Sequence, residues 1–270
     1  MTEVLGIALA LLVGIIMGLT GAGGSILTIP ILVYVLGIDP VIATAYSLVI
    51  VGVTSLFGSI NFLRKGLVHL RVAIIFAIPS LITVFITRKY VLPNLPEQML
   101  EIGGLYITKG VFIMLLFASL MLLSALSMIR NRTDFNENEI EGELNLNFGL
   151  IILEGLVIGL LTGLVGAGGG FLIVPVLAIF VKLPMRMAIA TSLLIIALKS
   201  LLGFLGDIEH AASFDWQLII EFNVLAVLGI FVGSYLSKFI DGKKLKPIFG
   251  YFVLLVSIYI IFQEIIIATY

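Results

Sequence analysis

The chain has 270 residues, of which 61% are hydrophobic and only 11% are charged, and its formal net charge is −1. Soluble domains carry roughly a quarter charged residues, so this composition excludes a soluble globular enzyme and indicates an integral membrane protein. The sequence has no cysteine, which excludes disulfides and cysteine-based metal sites, and it has no basic face that would favour nucleic acid. The N-terminus lacks the basic region and cleavage site of a removable signal, so we do not expect one.

Apolar segments separated by polar turns follow one another along the chain. Several reach about 20 residues, the length that crosses a hydrocarbon core of roughly 30 Å, and others are too short to do so. We therefore expect an all-α membrane protein with eight or ten spans, depending on how the short segments are counted. The segments lie at 4–20, 26–37, 41–61, 71–88, 110–129, 148–165, 169–181, 187–205, 217–237 and 247–268.

A polar, acidic stretch at 130–147 divides the chain almost in half, and the halves repeat at an offset of 145 residues, the spacing between Gly14 and Gly159. The shared residues are glycine, proline and serine rather than ordinary apolar residues, which indicates a true duplication. The predicted organisation is a first transmembrane repeat at 1–132, a polar cytoplasmic linker at 133–147 and a second repeat at 148–270. Further matched positions are Gly18 and Gly163, 21–24 and 166–169, Pro30 and Pro175, 43–48 and 188–193, Ser55 and Ser200, and Gly58 and Gly203.

The stretches GLTGAGGSILTIP (18–30) and GLVGAGGGFLIVP (163–175) place clustered glycines and a proline inside apolar segments. Proline is tolerated in the first turn of a helix, so a second helix is expected to begin near Thr28 and near Ile173. A helical arm of about eight residues, or roughly 12 Å, reaches about half the membrane thickness. Each stretch therefore predicts a broken helix pair whose tip lies near the midplane. The alternative is that the glycines only permit close helix packing.

The loop lysines and arginines favour opposite insertion of the two halves. If the first glycine hairpin enters from outside and the second from inside, most basic residues fall on the cytoplasmic side. Arg88, Lys89 and Lys109 then lie outside, together with the acidic turn 206–210. In each broken pair, the start of the second helix directs free N–H groups and a positive dipole end inward. Inverted repeats would bring two such ends together as an anion site. The basic residues assigned inside are Arg64, Lys65, Arg71, Arg130, Arg132, Lys182, Arg186, Lys238, Lys243, Lys244 and Lys246.

The duplicated GxxGxGGxxxxxP blocks, the central loop and the chain length resemble the sulfite exporter TauE/SafE family of membrane transporters. This resemblance covers essentially the whole chain. It implies transport of small sulfur-containing oxyanions and organosulfonates, such as sulfite or sulfoacetate, or of other small organic anions, across the bacterial inner membrane. It also places both glycine blocks at the substrate path. The blocks differ at one position, since Gly170 stands where the first has Ser25.

Lys199 is the one basic residue that the sequence places deep inside an apolar segment, and we predict that it attracts the anion. The alternative is an ion pair or a side chain that extends to the interface. Hydroxyl groups that follow both hairpins could donate to oxyanion oxygens, although bonds to their own helix carbonyls are the commoner fate. The predicted substrate-binding residues are Gly21, Gly23, Gly24, Ser25, Gly166, Gly168, Gly169, Gly170, Tyr46, Ser47, Thr191, Ser192 and Lys199.

These features together predict a multi-pass transporter that moves a small anion across the cytoplasmic membrane by alternating access. An anion channel is the first alternative, and a membrane-embedded enzyme or a structural role is the second. The only histidines, His69 and His210, fall in loops, so we expect no catalytic residue, cofactor or metal site. Coupling to protons or sodium stays open. Glu154 and Glu221 are proton-carrier candidates, with an interfacial position as the alternative.

Overall fold

A computed structural model describes residues 2–20, 23–102, 105–130, 148–236, 239 and 242–269. The predicted linker at 133–147 and the glycine at position 21 lie outside these residues. The first half contains helices α1 (Thr2–Thr20), α3 (Pro40–Arg64), α4 (Leu70–Ile86) and α5 (Lys109–Arg130). Its short arm, called α2 here, joins a 3₁₀ turn (Gly23–Leu27), an α-turn (Thr28–Pro30) and a π-turn (Ile31–Val35). The second half contains α6 (Phe148–Val165), the arm α7 (Gly170–Ile179), α8 (Met185–Gly203), α9 (Trp216–Leu236) and α10 (Gly242–Thr269).

Length and composition make six of the described helical stretches long and apolar enough to cross a membrane. Large apolar side chains face outward along them, as Ile74, Ile78 and Ile82 do on α4, with 52%, 56% and 49% of their surface exposed. This outward stripe is typical of a helix that contacts lipid, so the protein is a multi-pass, helical membrane protein. The six stretches are Pro40–Arg64, Leu70–Asn94, Lys109–Arg130, Arg186–Glu209, Trp216–Leu236 and Gly250–Thr269, with shorter apolar helices at Ala8–Thr20, Gly24–Val35 and Gly149–Val165.

One element departs from the expected all-helical fold. Strands β1 (Gln98–Ile102) and β2 (Leu105–Thr108) pair antiparallel between α4 and α5. The sequence between them is Gly-Gly, and the strands contain β-favouring Ile, Leu, Tyr and Thr residues. A glycine pair between two such runs is a hairpin signal that length and hydropathy alone do not reveal.

The two halves pack against each other in a reciprocal way. Helix α1 packs against α9, and its repeat mate α6 packs against α4, the repeat mate of α9. Helices α3 and α8, which are mates, pack together, and so do α5 and α10. This exchange places the centre of the molecule between α3 and α8 rather than inside either half.

Glycines at matched positions permit these close helix crossings. A Cβ on Gly18 would lie 2.6 Å from the backbone nitrogen of Ser234 in α9. Its mate Gly163 approaches α4, where a Cβ would lie 2.8 Å from the Cβ of Thr87. Such distances leave no room for a side chain, so at these positions the glycines serve helix packing. The packing alternative therefore holds for the glycines before each block, while the blocks themselves adopt a different structure.

Both arms, α2 and α7, begin earlier than the sequence predicted. The α-turn of α2 starts at Thr28, as expected, although the chain is already helical from Gly23. Helix α7 starts at Gly170, not near Ile173, and Pro175 lies inside it. Because Pro175 has no N–H, the Phe171 carbonyl oxygen lacks its usual donor within the helix. The Ser124 hydroxyl of α5 donates to that oxygen at 3.2 Å, which lets the proline occupy an interior position.

Candidate functional site

The second glycine turn, defined as residues 166–169, has a backbone that requires glycine. Gly166, Gly168 and Gly169 have φ angles of 76°, 65° and 66°, in the left-handed region that L-residues with side chains rarely adopt. The Gly166 N–H donates to the Thr162 carbonyl oxygen at 2.7 Å and ends α6. Helix α7 then begins with no side-chain cap at Gly169. The Leu172 and Ile173 amides donate to the Gly169 carbonyl oxygen at 3.0 Å, whereas the Gly170 and Phe171 amides before them have no acceptor within the helix, so this start presents the positive end of a helix dipole.

This turn lies at the centre of the molecule and is buried. A Cβ on Gly168 would lie 2.5 Å from Val51 of α3 and 3.2 Å from Ile196 of α8. Val51 and Ile196 occupy equivalent positions in the two halves, at the same offset of 145 residues that relates Gly14 to Gly159. Gly168 therefore contacts equivalent residues of both halves. A Cβ on Gly166 would likewise lie 2.5 Å from the Cβ of Thr44, about two turns before Val51 in α3.

The first glycine block reaches the same region from the other half. Gly23, Gly24 and Ser25 lie in the 3₁₀ turn Gly23–Leu27, and Gly24 and Ser25 are buried. This 3₁₀ turn contacts α7, so the two arms meet. Gly24 packs against α1, where a Cβ would lie 2.6 Å from the Val13 carbonyl oxygen. The first block forms a 3₁₀ turn, whereas the second contains three glycines with positive φ, so the two blocks differ in backbone conformation.

Lys199 of α8 is buried beside the second glycine turn, with only 1% of its surface exposed. Its Nζ donates to the Thr162 hydroxyl oxygen at 2.8 Å, and that hydroxyl donates to the Ile158 carbonyl oxygen at 2.7 Å. A Cβ on Gly169 would lie 3.0 Å from the same Nζ. No carboxylate of the described residues lies within 4.0 Å of this ammonium group. A buried ammonium group without a counter-charge is costly, and an anion beside it would offset that cost.

A second buried cation, Arg88, lies close to the same turn; the sequence placed it on the outside and did not predict its burial. Arg88 extends α4 in the π-turn Thr87–Val91 and is 1% exposed. Its Nε pairs with Asp207 at 2.7 Å, and its Nη1 donates to the Thr44 hydroxyl at 2.7 Å and to the Gly163 carbonyl at 3.4 Å. Lys109, also assigned outside, is 7% exposed at the start of α5. The only signal for Arg88 in the sequence was the acidic turn that contains Asp207.

The hydroxyl candidates differ in what they contact. The Ser192 hydroxyl donates to the Ile189 carbonyl oxygen at 2.8 Å, and the Thr191 hydroxyl accepts from the His69 N–H at 3.0 Å. The Tyr46 hydroxyl accepts from the Asp215 N–H at 2.6 Å. Ser47 is fully buried, and its hydroxyl has no hydrogen-bond partner among the described residues. Ser47 is therefore the hydroxyl best suited to a ligand.

Ser47 also lies on the helix face that meets the second glycine turn. Thr44 and Val51, three residues before and four residues after it, approach Gly166 and Gly168 respectively. Residues at this spacing share one face of a helix, which places Ser47 opposite the turn. Ser55 and Ser200 are likewise buried without a partner in the described part of the chain, further along the α3–α8 contact.

The proposed proton carriers have different surroundings. Glu221 is partly exposed on α9 and accepts a hydrogen bond from the Gln217 side chain at 2.9 Å. Glu154 on α6 is half-buried, and its Oε2 has no partner among the described residues. The residues that the structure describes contain no group of three His, Asp or Glu side chains arranged to hold a metal ion.

Comparison with known proteins agrees with this architecture. The family model described as "Sulfite exporter TauE/SafE" matches residues 6–260. A "Probable membrane transporter protein" of Xylella fastidiosa is 33% identical, over 94% of this chain and 92% of its own length. The "Probable membrane transporter protein YdhB" of Bacillus subtilis is 25% identical, over 87% of this chain and 90% of its own. No solved structure matches the chain.

Proposed function

Because this chain belongs to the sulfite exporter TauE/SafE family and is a membrane transporter, we propose that its cargo is a small anion, such as sulfite or an organosulfonate like sulfoacetate. The observation that carries this proposal is the position of Lys199. Its buried Nζ lies against the second glycine turn and has no counter-charge among the described residues. We propose the bacterial cytoplasmic membrane as the location.

The surroundings of Lys199 favour an anion over a neutral or cationic substrate. The uncapped start of α7 supplies free amides and a positive dipole end, which stabilise negative charge. The absence of a side chain at Gly169 lets the Lys199 Nζ lie close to the backbone of the turn, where a Cβ would be only 3.0 Å from it. The free hydroxyl of Ser47 on α3 could donate to an oxyanion from the opposite side. A cationic ligand would meet like charge from both Lys199 and the dipole.

We propose that the two halves insert with opposite topology and rock against each other around this site. The reciprocal packing of α1 on α9 and of α4 on α6 supports such a motion, since each half contributes equivalent helices to the interface. Arg88 of the first half and Asp207 of the second form a buried ion pair next to the site. In the proposed cycle, this ion pair holds one side of the path closed and must separate when that side opens.

Flux measurements in proteoliposomes test this proposal. Purified protein is reconstituted and loaded in turn with sulfite, sulfate, thiosulfate, sulfoacetate, taurine and short carboxylates. We expect saturable uptake of at least one anion and counterflow, in which internal anion accelerates entry of labelled anion. Counterflow distinguishes a transporter from a channel, which conducts without exchange. Flux of only neutral or cationic compounds contradicts the anion assignment.

A further inference from the structure

The second half also contains a buried carboxyl group that belongs to no part of the proposed anion site. Glu264, near the end of α10, is 2% exposed. The Tyr34 hydroxyl donates to its Oε1 at 2.5 Å. Tyr34 lies in the π-turn Ile31–Val35 of α2, and its ring meets that of Tyr259 edge to face with centroids 5.9 Å apart. The hydrogen bond therefore ties α10 to the first arm.

The ionisable groups around Glu264 do not supply a counter-charge. Helix α10 packs against α5, α1 and β2. At the nearby end of α5, Lys109 pairs with Glu97 at 3.7 Å, and Tyr106 of β2 is 55% exposed. The described side chains of α1 include no ionisable group, and among the described residues no Lys, Arg or His nitrogen lies within 4.0 Å of Glu264.

An ionised carboxylate at this position would be buried without a cation, which costs several kcal/mol on membrane insertion scales and marks such groups as ion or proton carriers. Sodium would need several oxygen ligands, as hard cations do. The described contacts give one carboxyl group and one tyrosine hydroxyl that already donates to it. A single proton neutralises the group and needs no further oxygen ligands, and the other carboxyl oxygen still accepts from Tyr34.

We infer that Glu264 is a proton-binding site that couples proton movement to the position of the first arm. With the proton bound at Oε2, Oε1 accepts from Tyr34 and α2 stays against α10. When the O–H bond breaks and the proton leaves to water, the carboxylate is stabilised only where water reaches it, so α2 and α10 must shift. The Gly23–Leu27 turn at the start of α2 contacts α7, and this contact passes the shift to the anion site. The coupling role rests on the proposed anion transport, whereas proton binding does not.

Infrared spectroscopy of the reconstituted protein tests proton binding without any substrate. A protonated carboxyl group has its own C=O stretching band, which disappears on deprotonation. We expect such a band in the wild type, its loss in Glu264→Gln and its persistence in Glu221→Gln, which carries the same substitution on α9. Tyr34→Phe keeps the carboxyl group and removes one hydrogen bond, so it should shift the band. A band unchanged in Glu264→Gln, or no titrating band at all, overturns the assignment.

Proteoliposomes under a pH gradient test the coupling. The measured quantity is the ratio of sulfite uptake with the gradient to uptake without it, with the other panel anions used in the same way. We expect a ratio above one in the wild type and in Glu221→Gln, and a ratio of one in Glu264→Gln. A wild-type ratio of one, or a ratio kept by Glu264→Gln, overturns the coupling. If no anion of the panel moves at all, anion transport fails, while the infrared result still decides whether Glu264 binds a proton.

Discussion

The two arms of this duplicated protein share their sequence pattern but not their chemistry. The second arm follows a turn of three left-handed glycines and lies beside Lys199. The first arm passes through 3₁₀, α and π turns, and its Tyr34 contacts Glu264. Thr54, the repeat mate of Lys199, only donates to the Ile50 carbonyl oxygen of its own helix, at 2.7 Å. The two arms thus share a framework but contact different groups of the second half: the second arm lies beside Lys199, and the first arm contacts the buried carboxyl group of Glu264.

The largest effect is expected at the ion pair that adjoins the second turn. Asp207→Asn leaves the buried Arg88 guanidinium without its counter-charge, and breaking a buried pair in this way costs about 3–5 kcal/mol. The control is Glu209→Gln, which breaks the neighbouring ion pair between Glu209 (73% exposed) and Lys89 (38% exposed). Because this pair is exposed, we expect its loss to lower the free energy of unfolding by about 1 kcal/mol or less. Thermal unfolding in detergent measures both. Equal midpoints for the two variants would contradict the structural role of the Arg88 pair.

Lys199→Gln should weaken anion binding about ten- to hundred-fold, because a charge-assisted hydrogen bond contributes roughly 1.5–3 kcal/mol. The matched variant is Thr54→Ala, at the equivalent position of the first half, for which we expect unchanged affinity. Titration of the purified proteins with sulfite and the other panel anions measures this difference, and size-exclusion profiles show whether each variant stays folded. If Lys199→Gln binds the anion with wild-type affinity, Lys199 is not part of the anion site, and the two halves do not differ in this way.

Gly169→Ala and Gly24→Ala, at matched positions, should fail in different ways. A left-handed backbone costs an L-residue about 1–2 kcal/mol, and at Gly169 the new methyl would also crowd Lys199, so anion affinity should fall about ten-fold. At Gly24 the methyl would lie 2.6 Å from the Val13 carbonyl oxygen, so the main effect should be a lower unfolding temperature. Binding and thermal unfolding of both variants measure this. A larger loss of affinity in Gly24→Ala would place the anion nearer the first block.

The smallest effect is expected from the paired serines. Ser47→Ala should lower anion affinity about three- to ten-fold, since one neutral hydrogen bond contributes roughly 0.5–1.5 kcal/mol. Ser192→Ala should change nothing, because that hydroxyl is already bonded to the Ile189 carbonyl oxygen. The same titrations compare the two. Identical affinities for both variants would remove Ser47 from the site.

Much of the framework could be predicted from the sequence. The repeat, the interruption of the helices at the glycine blocks and the burial of Lys199 all follow from local patterns of glycine, proline and hydropathy. Membrane transport and the family assignment are confirmed by the comparisons. The opposite insertion of the halves and the role of the binding residues stay predictions.

The residues that sequence reasoning missed depend on distant partners. Arg88 ends an apolar segment and looks like a loop residue until Asp207, 119 positions away, is placed beside it. Glu264 lies near the end of the last helix, and its partner Tyr34 is 230 positions away. The early start of α7 depends on Ser124 of α5, which compensates for Pro175. No local pattern encodes these contacts, because each joins elements that only the tertiary fold brings together.

The most direct test of the central claim is an experimental density map of the protein in nanodiscs, saturated with whichever panel anion binds most tightly. We predict density for one anion within hydrogen-bond distance of the Lys199 Nζ and of the first amides of α7, with both arms meeting around it. An anion bound elsewhere, a second glycine turn that faces lipid, or no bound anion at saturation would contradict the account.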